Sequence, residues 1–158
     1  MTADERLTEL QLELPPAPSA MGLYKPVLVV DRLAHLSGHG PLRPDGTAIC
    51  GRLGDVLDTQ AGYSAARQTA LLMLASLQQQ FGTLDRIERL VKTAGFVNAV
   101  PDFTDHPAVI NGFSETMREV FGPEAGIGAR SAIGVASLPA GWAVEIEAIF
   151  QLRPDAVD

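Results

Sequence analysis

At 158 residues the chain can bury one ordinary core and is too short for two comfortable domains. Its formal charge of −7 and twelve scattered basic residues exclude broad nucleic-acid binding, which needs Lys and Arg clustered against phosphates. The single Cys50 excludes an intramolecular disulfide and has no metal-ligand neighbours, so no metal site is expected. The densest basic group, Arg86, Arg89 and Lys92, shares its stretch with Asp85 and Glu88 and reads as a solvated face. No apolar run approaches the roughly 20 residues of a membrane helix, and the polar, acidic start from Met1 to Arg6 is no signal peptide. The expectation is a soluble cytoplasmic protein with neither a membrane nor a nucleic-acid partner.

Residues 1–20 form a lead-in that ends in the proline-rich stretch Leu14 to Ala20, with room for a short helical turn over Asp4 to Leu12. The domain is expected over 21–153, followed by a tail at 154–158. Lys25 to Asp31 and Arg32 to Gly38 read as two strands meeting at Asp31-Arg32. Pro44-Asp45-Gly46 is a strong turn. Asp58 or Thr59 can cap a helix running to about Phe81 and stopped by Gly82. Its apolar positions Ala66, Ala70, Met73, Leu74, Leu77 and Phe81 keep a helical period. Arg86 to Ala99 could be helix by its charges, whereas Leu90 to Asn98 has the β-branched and aromatic content of a strand interrupted by Gly95. Asp105 is expected to cap a second helix, with Pro107 tolerated in its first turn. Ile110, Phe113, Met117, Val120 and Phe121 are its buried stripe, and Gly122-Pro123 end it.

Two further β-rich runs, Arg130 to Ala136 and Ala143 to Leu152, are separated by the turn signal Leu138-Pro139-Ala140-Gly141, which predicts a hairpin. In such a pairing Arg130 and Glu145 fall at opposite ends of their strands, and folding can bring them near each other. An arginine fork plus a carboxylate can hold a small carboxylic acid and move a proton on it; a structural ion pair is the plainer alternative. On the last strand Val144, Ile146, Ala148 and Phe150 share one face. Ile149 lies with Glu145 and Glu147 on the other, so the second face has apolar content that needs cover.

The run Ala129-Arg130-Ser131, Val135-Ala136, Leu138-Pro139 and Val144-Glu145-Ile146-Glu147-Ala148 resembles the C-terminal signature of the RidA/YjgF family, the reactive-intermediate deaminases. The resemblance continues upstream in Gly22-Leu23-Tyr24, where proline is usual at the middle position, and in Leu36-Ser37-Gly38. Lys92-Thr93 with Phe96-Val97 resembles the family's central strand, and Ile110-Asn111 the start of its second helix. It covers about residues 20 to 152. With Leu90 to Asn98 taken as strand, the order is β-β-α-β-α-β-β, an α+β single domain whose two helices cover one face of the sheet. The resemblance implies the chorismate-mutase-like fold and a homotrimer with sites in clefts between subunits.

What the resemblance implies chemically is hydrolysis of 2-imino acids or their enamine tautomers, such as 2-aminoacrylate, to 2-keto acids and ammonia without cofactor. Arg130 matches the family's substrate-gripping arginine, whose planar fork lysine cannot reproduce. Glu145 matches its acid near the attacking water. Tyr24 matches a pocket tyrosine, Asn111 a helix-start asparagine, and Ser37 a possible hydroxyl at the pocket. Several positions depart from the pattern. Ala132 stands where many members have cysteine, and His39 where glutamine is frequent. Gly128 precedes the Ala129-Arg130 pair in place of proline, after a longer glycine-rich loop from Gly122. These departures mark a divergent subgroup and keep a second reading open, a non-catalytic trimer that binds or senses a small carboxylate such as a 2-keto acid. Ribonuclease action is the weakest reading, because the chain is acidic and shows neither a His pair nor a basic groove. His35 and His106 are given no role.

Overall fold

The computed structural model describes residues 1–154, so most of the tail expected at 154–158 lies outside the described residues. Its elements are α1 (Ala3–Glu9), β1 (Val27–Val30), β2 (Leu33–His39), α2 (Thr59–Phe81), β3 (Ile87–Asn98), α3 (His106–Phe121), β4 (Ala129–Val135) and β5 (Val144–Leu152). Short 3-10 turns at Leu84–Arg86 and Pro139–Gly141 link them. The α+β order is as expected, and within Arg86 to Ala99 the run Ile87–Asn98 is strand rather than helix. No helix among the described residues is long and apolar enough to cross a membrane.

The sheet runs β1-β2-β5-β3-β4. All neighbours are antiparallel except β3 and β4, which are parallel. This overturns the expected hairpin. β3 lies between β4 and β5, so the turn at Pro139–Gly141 carries the chain past the end of β3 to pair on its other side. A tight turn between adjacent antiparallel strands would have been shorter. The turn signal was real; the adjacency was not.

Alternation along β5 decides what the sheet buries. Val144, Ile146, Ala148, Phe150 and Leu152 are buried, while Glu145, Glu147, Ile149 and Gln151 face the other way. α2 and α3 lie on the buried side, each side chain of this row being worth about 1.5–3 kcal/mol when fully removed from water, less for alanine. On the uncovered face Leu28, Val30, Leu33 and Ile133 remain 47%, 51%, 37% and 49% exposed. Leu28 and Val30 lie on β1, Leu33 on β2 and Ile133 on β4, so this apolar content sits toward both edges of the face.

α2 begins with Asp58 accepting from the Ala61 amide at 2.8 Å, and it ends at Gly82 in the left-handed conformation with φ 79°. Asp105 precedes α3 but makes no side-chain cap bond, contrary to expectation. Its backbone at φ −88°, ψ 30° lies outside the extended region from which a capping carboxylate turns back. The lead-in is tied to the domain. The Asp4 carboxylate accepts from Thr83 Oγ1 at 2.5 Å and from the Leu84 amide at 3.1 Å, and Leu7 joins the core.

α2 and α3 cross closely at Gly112, where a Cβ would stand 2.1 Å from the Tyr63 carbonyl oxygen. Backbone cannot rotate out of the way, so alanine here must push the helices apart. Overpacking costs about 1–3 kcal/mol, against a helix-propensity gain of about 1 kcal/mol over glycine. Gly112→Ala is therefore expected to lower stability by up to about 2 kcal/mol, read as a lower urea midpoint with an unchanged slope. An unchanged or higher midpoint would show that the crossing yields freely.

Candidate functional site

Arg130 opens β4 opposite Thr93, which is buried on the helix side of the sheet. The arginine accordingly reaches α3. Its Nη1 donates to Asn111 Oδ1 at 2.8 Å and to Ser114 Oγ at 3.1 Å, and Nη2 approaches the Pro107 carbonyl at 3.5 Å. All three partners are neutral. The ion pairs among the described residues, Arg32–Glu88 and Arg67–Glu119, do not involve it. One nitrogen is thus fixed by the protein, and the Nε–H has no partner among the described residues. That leaves an edge suited to donating two parallel hydrogen bonds to a carboxylate. A cleft of about 340 Å³ opens beside it, lined also by Thr93, Glu115, Arg118 and the Gly126–Gly128 loop. Ser114 was not foreseen from the sequence. The signal was its position three residues after Asn111, on the same face of a helix.

Glu145 stands opposite Phe96 on the uncovered face of the sheet. Its carboxyl rests on Gly38 of β2, where a Cβ would lie 2.1 Å from Glu145 Oε1, so the close approach requires glycine. Burial, and next the charge of Glu147, push its pKa above the ordinary carboxylate range. The folded chain therefore holds this proton more tightly than the unfolded one. The linked stability is present below the ordinary glutamate pKa and is lost as pH rises through the raised one.

Tyr24 and Ser37 gather near the same turn of β2. They line a cleft of about 480 Å³ with Lys25, His35, Lys92 and Glu147. Ser37 Oγ donates to the Lys25 carbonyl at 2.7 Å, which commits its proton and leaves it as an acceptor. Tyr24 Oη accepts from the Met21 amide at 3.0 Å, which leaves its own proton free to donate. Among the described residues no three His, Cys, Asp or Glu side chains come together as a metal site would require.

The expected nearness of Arg130 and Glu145 within one chain is not found. β3 separates their strands, and the two side chains leave the sheet on opposite faces. The candidate residues fall into two groups by face: Arg130 with Asn111 on the helix side, and on the uncovered side Glu145 seated on Gly38, with Tyr24 and Ser37 in the cleft that Glu147 lines. The first group can grip an anion. The second can move a proton and accept or donate hydrogen bonds around it.

Residues 4–142 match the family model described as "YjgF/chorismate mutase-like, putative endoribonuclease". Protein TCP17 of Trypanosoma cruzi is 40% identical over 147 residues, 93% of this chain and 92% of that one. A Lactococcus lactis protein described as "Putative regulator AldR" is 31% identical over 137 residues, 87% of this chain and 93% of its own. The crystal structure of a "putative endoribonuclease" from Shewanella oneidensis superposes with a TM-score of 0.91 at 30% identity, covering 96% of this chain and all 100% of that one. With the signature around Arg130 and Glu145 in place on the matching sheet, the chain belongs to the YjgF/RidA family.

Proposed function

We propose that the protein hydrolyses small 2-imino acids and their enamine tautomers to 2-keto acids and ammonia, in clefts completed between the subunits of a homotrimer. The observation that supports this is the division of the candidate residues into two half-sites, neither sufficient alone. Arg130 is a guanidinium with no ion-pair partner among the described residues, held by Asn111 and Ser114 and open on one edge. Glu145 is a carboxyl whose environment favours its proton. A neighbouring copy supplies the missing half of each cleft, and its approach covers the apolar content of the exposed sheet face.

In this reading Arg130 grips the substrate carboxylate and fixes the adjacent C=N carbon. Water adds to that carbon while Glu145 accepts one of its protons, and the proton passes to nitrogen. The C–N bond then breaks as the hydroxyl proton passes by way of Glu145 to nitrogen and the oxygen forms C=O, so that nitrogen leaves as ammonia. A carboxyl whose pKa is raised is a stronger base once ionised, suited to taking a proton from water and handing it on. Tyr24 keeps its hydroxyl proton free to donate into the cleft that Glu147 lines.

A trimer that only binds or senses 2-keto acids is the second reading. The relative described as a regulator favours it, as does the glycine-rich loop from Gly122 to Gly128 beside Arg130. The net charge of −7 weighs against RNA as substrate.

The homotrimer is expected to give three times the chain mass in light scattering at micromolar concentration; a monomer mass would remove the shared cleft. Arg130→Lys is expected to keep the fold but lose the fork. A lost charge-assisted hydrogen bond costs about 1.5–3 kcal/mol, or roughly ten- to a hundredfold in keto acid affinity. Titration calorimetry with pyruvate that finds affinity undiminished would sink the role of Arg130.

Glu145→Gln separates the two readings. For a deaminase, imine hydrolysis should fall by about 10²–10⁴ while pyruvate affinity changes far less. Wild-type turnover that the substitution leaves intact would refute the role, and absence of turnover in both proteins would favour the sensor. The same variant should lose the decline in stability that accompanies deprotonation of Glu145 as pH rises.

A further inference from the structure

His39 is buried at 5% exposure and points away from Glu145, into the helix layer. Its Nδ1 lies 2.7 Å from the Ser37 carbonyl oxygen, and its Nε2 lies 2.8 Å from Ser76 Oγ on α2. A carbonyl only accepts, so Nδ1 carries the proton. Burial lowers the pKa of the imidazole, and in the neutral ring Nε2 accepts from the Ser76 hydroxyl. Both ring nitrogens are thereby satisfied, which a buried histidine requires.

The segment it holds is the one place where β2 leaves register. Leu36 pairs with Ala148 and His39 with Ile146, so three residue steps on β2 face two on β5. Ladder bonds do not by themselves fix Ser37 and Gly38 there. Ser37 is tied instead by its amide to the Pro26 carbonyl at 3.0 Å, by its hydroxyl to Lys25, and by its carbonyl to His39. The glycines on either side of His39 carry side chains from β5 and from the turn that leads into it. Glu145 lies on Gly38, and Trp142 lies so close to Gly40 that a Cβ there would sit 2.4 Å from its ring.

We infer that His39 is a positioning residue for Glu145: it anchors the bulged Ser37–Gly38 backbone to α2 and so sets the height of the floor on which the carboxyl rests. The inference rests on reading Glu145 as the proton-transfer group, but it concerns the carboxyl's surroundings and is measurable without turnover. The groups that surround this carboxyl are Glu147 on its own strand, Phe96 from β3 and Gly38 from β2, with the imidazole screened behind the backbone.

The test follows the Glu145 carboxyl by ¹³C NMR titration in the assembled protein, wild type against His39→Leu, His39→Gln and Ser76→Ala. His39→Leu fills the space but carries neither hydrogen bond. Glu145 should then titrate closer to an ordinary glutamate, as the floor loosens and water reaches the carboxyl. His39→Gln, which can still donate to the Ser37 carbonyl, should restore part of the wild-type value, and Ser76→Ala should move it in the same direction as leucine by less. If imine hydrolysis is present, kcat should drop about ten- to a hundredfold in His39→Leu with KM little changed, as for a misplaced catalytic group. A Glu145 titration identical to wild type in folded His39→Leu would overturn the inference. If that variant does not fold, an unmoved titration in Ser76→Ala would do so. Absence of turnover in every protein, with the shifts present, would count against the deaminase reading and not against the role of His39.

Discussion

Everything in this molecule depends on β5 being an interior strand with two unlike faces. Because it pairs with β2 on one side and β3 on the other, its backbone hydrogen bonds are taken up, and its side chains alternate between a buried row and an uncovered one. The buried row packs under α2 and α3 and anchors the core. The same alternation obliges Glu145 and Glu147 to share the uncovered face with exposed apolar side chains. A carboxyl lying on a glycine among apolar neighbours is where a raised proton affinity is to be expected, since burial acts on the charged form. Core packing and site chemistry are here two consequences of one strand.

The placement of Arg130 follows from a different constraint. β4 is an edge strand joined to the sheet only through β3, in parallel register. That register sets Arg130 beside Thr93 on the helix side, within reach of one face of α3. Neutral side chains hold the guanidinium without cancelling its charge, so the energy of pairing stays available to the carboxylate proposed for it. An ion pair with Glu145 in the same chain would have consumed it, and most of what such a pair gains is spent on desolvation. Separation across the sheet keeps both groups unspent.

Close approaches through glycine recur at the decisive contacts. Gly112 lets two helices touch by their backbones, Gly38 seats a carboxyl, and Gly40 seats an indole. These contacts are steric permissions rather than attractions, and larger residues at these points would displace the groups they admit. His39 adds a fixed tie between the two layers at the point where the β2 ladder falters.

Local signals carried a large part of this protein. The helical period and the Asp58 and Gly82 boundaries of α2 are properties of neighbouring residues, as is the two-residue alternation of β5, and these were legible in the sequence. The α+β order followed once Leu90 to Asn98 was read as strand. Arg130 and Glu145 were picked out as a fork and a carboxylate on two β-rich runs, but their roles, and the choice of Tyr24, Asn111 and Ser37, came from the RidA/YjgF signature, because an isolated arginine or glutamate in a strand states no role. What the sequence could not reveal was non-local. The turn at Pro139–Gly141 announces a reversal but not which strand lies across it, since strand adjacency is decided by packing over the whole sheet. Hence Arg130 and Glu145 were expected together and lie on opposite faces. The neutral grip of Ser114, the seat at Gly38 and the tie from His39 to Ser76 join residues 16 to 107 positions apart. Only tertiary structure decides such contacts, because their partners meet through the sheet and the helix layer and not through the chain.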